Sequence, residues 1–239
     1  MTKFILLCVF MPFMVIAQTK NVMNVTRFFP KIDKVQEFEK ALTAHAQKYH
    51  TGDWKWRVFE IETGPDAGGY QVIEGPNSWD QFDKRGNLGQ EHTNDYNKTV
   101  AIHLTQKYSS MYSVFIDSLS SVALTDYSDK ISITHVFPKP GWASDIRSLL
   151  AKYRKVWQAG GESVAVYTSS SSGPTQFALV TRYKQGLKEK EDNFRKPFKD
   201  RYEALFGVDS YMGALESIRT HAESAWSEML SLRADLGSK

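Results

Sequence analysis

One segment of the chain occurs twice. Residues 25–31 read VTRFFPK, and residues 133–139, which lie 108 positions further on, read ITHVFPK. A second landmark behaves in the same way, because Gly64-Pro65 returns as Gly173-Pro174 at a spacing of 109. A period of this length is well beyond that of solenoid repeats, which recur every 20–50 residues. The 239-residue chain is therefore predicted to contain two copies of one domain-sized unit.

Each copy shows the same order of secondary-structure signals. Strand formers at 22–29 and 131–137 stop at a proline, and apolar residues at helical spacing follow within 35–49 and 146–157. Two further strands flank each Gly-Pro turn, at 54–60 and 70–73 and again at 163–168 and 177–183. We expect each copy to end in a helix, because apolar residues recur at helical spacing in 104–122 and 215–232. Residues 111–116 have strand propensity, but repeat symmetry with 216–230 favours a helix there.

The order strand, helix, strand, strand, helix, present twice, resembles the ferredoxin-like half of the dimeric α+β barrel superfamily. NIPSNAP-like proteins and antibiotic-biosynthesis-type monooxygenases are families of this kind. The resemblance implies an α+β fold in which two tandem ferredoxin-like repeats (β-α-β-β-α) pack as an intrachain pseudo-dimeric barrel. The superfamily is functionally mixed, so the fold alone does not identify a reaction.

The first residues have the form of a secretory signal. Lys3 precedes an apolar stretch of about 14 residues that ends at Ala17, which is shorter than the roughly 20 residues of a membrane span. We predict a signal peptide at 1–17, repeat 1 at 18–121, a linker at 122–129 and repeat 2 at 130–239. The mature protein would be secreted or periplasmic, with no stable membrane insertion; an uncleaved anchor is the alternative. Cys8 is the only cysteine, so no disulfide holds the mature chain.

Composition and motifs exclude several classes of function. The 30 basic and 27 acidic residues are interspersed, which is typical of solvated surfaces and not of a nucleic-acid footprint. The sequence contains no G-x-S-x-G elbow, no H-E-x-x-H motif, no cysteine pair and no histidine pair at i, i+4. We therefore expect neither a serine nucleophile nor a metal site.

The strand pattern offers two matched candidates. Arg27 and His135 occupy the same place in the two copies, each on a strand face that is otherwise apolar. There an arginine could hold a carboxylate, and a histidine could act as an acid–base group or an axial metal ligand. The alternative is that each sits at a strand edge with a hydrogen-bond partner on a neighbouring helix.

Three other residues complete the set of ligand-binding candidates. His45 lies on the helical stripe of repeat 1 and is either a ligand or a residue at the core boundary. Trp56 and Tyr183 belong to a dense set of aromatic residues on the strands, which suits either a large-residue core or the walls of a pocket for a flat ligand. His50 and His92 are given no role, since His50 precedes a turn and His92 lies in a polar stretch.

The sequence favours a binding protein with a pocket for a small apolar or aromatic molecule between its two sheets, without a cofactor. Two other functions remain open. One is an enzyme, either a cofactor-free monooxygenase or a haem-handling protein that uses His135 or His45. The other is a structural or interaction domain with a filled barrel. The oligomeric state is not determined by the sequence.

Overall fold

A computed structural model describes residues 19–239 of the chain. Its eight strands are β1 (Val22–Pro30), β2 (Trp56–Ile61), β3 (Tyr70–Asn77), β4 (Leu104–Phe115), β5 (Lys130–Pro138), β6 (Val164–Ser170), β7 (Phe177–Arg182) and β8 (Ala222–Leu232). The six α-helices of the described part are α1 (Val35–Tyr49), α2 (Trp79–Arg85), α3 (Gly89–Asp95), α4 (Ala143–Ala159), α5 (Phe198–Phe206) and α6 (Ser210–His221).

The strands form one closed barrel in the order β1-β3-β2-β8-β5-β7-β6-β4. Every neighbouring pair is antiparallel. The two halves of the chain meet along two seams, where β2 pairs with β8 and β4 pairs with β6. The fold is therefore a mixed α+β barrel to which each half of the chain contributes four strands.

The second half repeats the element order of the first. Its first strand, first helix and second strand each begin 108 residues after their counterparts, at Lys130, Ala143 and Val164. The predicted opening strands, first helices and middle strands are all present. The halves diverge between their third and fourth strands, where the first has α2 and α3 and the second has α5 and α6.

The helices expected at the end of each copy are wrong in part. Residues 104–115 form strand β4, and helix α6 ends at His221, where β8 begins directly. Each half is thus β-α-β-β, then helices, then β, and its closing strand forms a seam with the other half. Without β4 and β8 the barrel would have open edges, whose unpaired backbone groups cost free energy. Repeat symmetry could not reveal the error, because both copies depart from the prediction in the same way.

Alternation along the strands separates the interior from the outer surface. On β1, Met23, Val25 and Arg27 face the barrel interior, whereas Thr26 and Phe28 face outward. The outer face of the second half is covered by α4, α5 and α6 over a continuous apolar core. The outer face of the first half packs against α1, and the shorter α2 and α3 cover the rest of it only in part.

The segment predicted as a linker, 122–129, packs against the barrel. Arg182 donates hydrogen bonds to the backbone carbonyls of Ala123, Leu124 and Asp126, and Tyr127 lines the interior. The proposed signal peptide and Cys8 lie outside the described residues. Among residues 19–239, the helices are all too short or too polar to span a membrane.

Candidate functional site

The interior of the barrel holds the two matched residues that the sequence singled out. Arg27 and His135 are both buried, and both contact the carboxylate of Glu228 on β8. His135 Nε2 lies 2.7 Å from Glu228 Oε1, and His135 Nδ1 accepts a hydrogen bond of 2.7 Å from Gln176. Arg27 and His135, the matched position at which the two copies differ, therefore belong to one buried ionic network that joins the two halves of the chain.

This network leaves its members little freedom to act on a ligand. Arg27 also contacts Asp66 at 2.6 Å and Gln71 at 2.8 Å, so its guanidinium is used on several sides. Both ring nitrogens of His135 are occupied. The interior cavity has a volume of about 80 Å³, whereas sites for small organic ligands usually measure about 300–1,000 Å³. The interior site is better suited to holding the halves together than to binding an organic molecule.

A larger pocket lies outside the barrel, between the sheet of the first half and its helices. Its volume is about 380 Å³. The outward side chains of β1, β2, β3 and β4 form one wall, and α1 and the α2–α3 region form the other. Four aromatic side chains and three histidines dominate the lining: Phe28, Trp56, Tyr96, Tyr108, His45, His50 and His92.

The three histidines converge at one end of this pocket. His45 comes from α1, His50 caps the end of that helix, and His92 comes from α3. The Nε2 atom of His92 lies 3.2 Å from that of His45 and 3.4 Å from that of His50. The imidazoles of His45 and His50 are buried, and that of His92 is half-buried. Three nitrogen atoms are thus directed at one small volume at the edge of a ligand-sized cavity.

Carboxylates on the far side of two rings fix which nitrogen carries the proton. His45 Nδ1 lies 2.7 Å from Asp95, and His50 Nδ1 lies 3.0 Å from Glu74. Glu74 is buried, pairs with Arg85 and accepts a hydrogen bond of 2.9 Å from the indole of Trp56. Since an ionised carboxylate only accepts hydrogen bonds, Nδ1 is the donor in each of these two contacts; Arg85 Nη2, itself a donor, also lies 3.2 Å from His50 Nδ1. In this tautomer of the neutral rings, the Nε2 atoms of His45 and His50 present lone pairs to the pocket.

The surroundings also keep two of the imidazoles uncharged. Burial lowers the pKa of His50, and this outweighs the opposing effect of Glu74. Burial likewise lowers the pKa of His92, and the neighbouring His45 and His50 lower it further. Neutral imidazole is the form that accepts a proton or ligates a metal ion. The cluster therefore offers neutral imidazole nitrogens to the pocket.

The second half shows no such pocket in the matching place. Tyr153 lies 108 residues after His45, and its ring packs against Trp157, Phe198 and Tyr202. Tyr202 is only 2% exposed, so side chains fill the space between this sheet and its helices. The outer pocket thus belongs to the first half, and the matching place in the second half is filled.

The structure separates the candidate residues into three groups. His45 and Trp56 meet in the outer pocket, and Arg27 and His135 meet inside the barrel. Tyr183 is buried elsewhere, with its hydroxyl 3.0 Å from that of Ser132. His50 and His92, which the sequence gave no role, complete the histidine cluster. A search for i, i+4 pairs misses it, because His92 is more than 40 residues from its partners.

No protein-family model matches the chain, and no curated protein matches it. Solved structures do match. An anthrone oxidase-like protein superposes with a TM-score of 0.57 at 16% identity, covering 90% of this chain and 92% of its own. A putative monooxygenase from Fusobacterium nucleatum subsp. nucleatum gives 0.55 at 10% identity, with 88% and 91% covered. A mutant chlorite dismutase from Candidatus Nitrospira defluvii gives 0.51 at 7%, with 90% and 94% covered. This chain shares the overall fold of these proteins.

Proposed function

We propose that the protein is an oxidase or monooxygenase that acts on a small, flat aromatic molecule in the outer pocket of its first half. The observation that carries the proposal is the convergence of three imidazole nitrogens at the end of an aromatic-walled cavity. The names of two structural neighbours, an anthrone oxidase-like protein and a putative monooxygenase, are consistent with it. The sequence placed the ligand between the two sheets; the cavity volumes favour the outer pocket instead.

The walls of the pocket suit a planar apolar ligand. The ring of Phe28 lies 6.1–6.4 Å from the rings of Trp56, Tyr96 and Tyr108, so several aromatic faces and edges border one space. Aromatic walls provide a large contact area with little loss of side-chain freedom. Tyr108 is 60% exposed and Leu88 is 39% exposed, which places the mouth of the pocket between β4 and the α2–α3 connection.

The polar end of the pocket determines the chemistry. A substrate whose ring system enters first between the aromatic walls would present a phenol or an acidic C–H group to the Nε2 atoms. We propose the reaction R₂CH₂ + O₂ → R₂C=O + H₂O, in which the substrate supplies all four electrons and dioxygen is the oxidant. The methylene loses two hydrogens, one oxygen atom forms the new carbonyl, and the other leaves as water. The imidazoles would promote removal of the first proton, either directly or through a bound ion.

Oxygen consumption with a panel of polycyclic aryl ketones that carry a ring methylene group tests this proposal. Labelled dioxygen should place one heavy oxygen in the product carbonyl. Thr26→Phe fills the pocket from β1, whereas Thr134→Phe makes the matched change on the outer face of the other half. We expect Thr26→Phe to reduce turnover by at least about tenfold and Thr134→Phe to leave it unchanged. No oxygen uptake with any member of the panel, or equal losses in the two variants, would contradict the proposal.

We also propose that the two halves arose by tandem duplication of a ferredoxin-like unit and that the chain is exported. The repeated segment and the 108-residue spacing of the first three elements support duplication. The charged and apolar pattern of residues 1–17 supports export. Mass spectrometry of protein recovered from a periplasmic fraction should give a chain that begins at Gln18, and an intact Met1 would contradict cleavage.

A further inference from the structure

We propose that His45, His50 and His92 bind one divalent first-row transition-metal ion, with an open coordination position toward the outer pocket. Zinc, copper, iron and cobalt all accept imidazole ligands. Three protein ligands and one open position are typical of catalytic rather than structural metal sites. The proposal concerns binding, and it stands or fails separately from the proposed oxidation.

The spacing of the nitrogens fits coordination of a single ion. Zinc–nitrogen bonds of about 2.0–2.1 Å at tetrahedral angles place two ligand nitrogens about 3.3 Å apart. The two closest Nε2 pairs of the cluster are separated by 3.2 Å and 3.4 Å, and the three ligand atoms lie within 4.8 Å of one another. The two pairs that include His92 therefore already have the spacing of ligands on one ion, and the His45–His50 pair would reach the same spacing as the ion binds.

Hydrogen-bond counting shows why these atoms need a partner. With the Nδ1 protons of His45 and His50 directed at Asp95 and Glu74, both of their Nε2 atoms are acceptors. Only His92 could supply a proton, and it could satisfy one of the two at a time. An ion satisfies all three lone pairs at once, which an arrangement of neutral imidazoles alone does not.

The second layer of the cluster is typical of metal-binding histidines. Such a histidine usually donates its other ring N–H to a carboxylate, which fixes the tautomer and increases the basicity of the ligand. His45 and His50 both do so. Arg85 and Trp56 in turn hold Glu74 in place. A core histidine needs one such partner; two carboxylate-backed imidazoles that face a third indicate a built site.

A haem on His45 fits this geometry poorly. Its ring plane would have to extend across the pocket beyond His45 Nε2, where His92 Nε2 lies only 3.2 Å away. His135 offers no axial position, because both of its ring nitrogens contact protein groups. A single ion is therefore the better occupant of the cluster.

Metal binding is tested on untagged protein stripped with a chelator and then dialysed. Titration with Zn²⁺ by calorimetry, and with Co²⁺ by its visible absorption, should give one ion per chain. His92→Ala removes a half-buried ligand, and His103→Ala is the control, since His103 is half-buried and lies outside the cluster. Asp95→Asn keeps all three ligands and should weaken binding by about 10–100-fold, and His92→Ala should weaken it more. Circular dichroism establishes that each variant is folded.

The outcomes separate the alternatives. Stoichiometric binding that is lost in His92→Ala and retained in His103→Ala supports the site. The absence of binding in the wild-type protein, or equal affinity in wild-type and His92→Ala, overturns it. Absorption characteristic of bound haem after haem addition, lost in His45→Ala, would replace the ion with a porphyrin and also overturns it. Oxygen-dependent turnover by the stripped protein would support the proposed reaction independently of the metal site. Stoichiometric metal binding by a protein that turns over no substrate would support the metal site and contradict the proposed reaction.

Discussion

Removal of the Glu228 carboxylate should destabilise the whole barrel. Glu228 is 2% exposed and is the shared partner of Arg27 from the first half and His135 from the second. The Glu228→Ala substitution leaves the Arg27 guanidinium buried with one carboxylate fewer and leaves His135 Nε2 without its partner. The charge cannot reach water, because the Arg27 side chain is only 8% exposed.

The expected loss of stability depends on the contacts that Arg27 keeps after the substitution. Removing one partner of a buried ion pair costs about 3–5 kcal/mol, because the other charge is left uncompensated. Here Asp66 still contacts Arg27 at 2.6 Å, so we expect the lower end, about 3 kcal/mol. For a chain of 150–250 residues this corresponds to a decrease in Tm of roughly 6–12 °C. Glu228→Gln keeps the volume and an acceptor while removing the charge, and should lie between wild type and Glu228→Ala.

Urea unfolding followed by circular dichroism measures the free energy, and a thermal scan measures Tm. Glu216→Ala is the matched control, since its ion pair with Arg219 is 3.8 Å long and both side chains are at least 67% exposed. Such a pair contributes about 0–1 kcal/mol. If Glu228→Ala lost no more stability than Glu216→Ala, the network would not hold the halves together. Metal binding at 25 °C should be unchanged in folded Glu228→Ala, because the network and the histidine cluster lie on opposite faces of the sheet.

Three further substitutions test other parts of the fold, two by urea unfolding and one by amide hydrogen exchange. Gly213→Ala should stabilise the protein by about 0.5–1 kcal/mol, because Gly213 is an exposed residue inside α6 and an added Cβ meets nothing within 4 Å. Gly160→Ala should instead cost about 1–3 kcal/mol, since its Cβ would lie 2.0 Å from Arg201 Nη1; equal effects of the two substitutions would contradict the packing described. Arg182→Met removes the donors that hold 122–129, so amide hydrogen exchange should accelerate in that segment, and an unchanged exchange rate would show that other contacts order it.

The elements that were predicted correctly from the sequence are those bounded by proline or glycine residues. Pro30 and Pro138 end the opening strands, and the glycine-proline turns separate the middle strands. The closing strands, β4 and β8, are not preceded by a proline or glycine boundary of this kind. In 215–232, α6 passes into β8 without a loop, so apolar residues of a helix and of a strand join into one apparent helical stripe. Pairing with the other half determines that β8 is a strand, and pairing over such distances is not visible in local periodicity.

The site could be predicted only in part for the same reason, because its residues are far apart in the sequence. Strand alternation correctly placed Arg27 and His135 on one face, but their partner Glu228 is 201 residues from the first and 93 from the second. The histidine cluster combines a helix, its C-terminal cap and a separate short helix. A local signal did exist, because His92 and Asp95 stand three residues apart on one face of α3. What the sequence lacked was the packing of α3 against α1.

The difference between the halves that matters for function is therefore in their helices. From the start of the third strand to the start of the fourth, the first half has 34 residues (Tyr70 to Leu104) and the second has 45 (Phe177 to Ala222). The longer segment forms α5 and α6, whose aromatic side chains fill the outer face of the second sheet. The shorter one forms two helices of seven residues each, which cover the first sheet incompletely and carry His92 to its edge. Because the strands of both halves have the same order, the pocket results from this thinner helical cover. Arg27 and His135, at which the copies differ, instead hold the two halves together through Glu228.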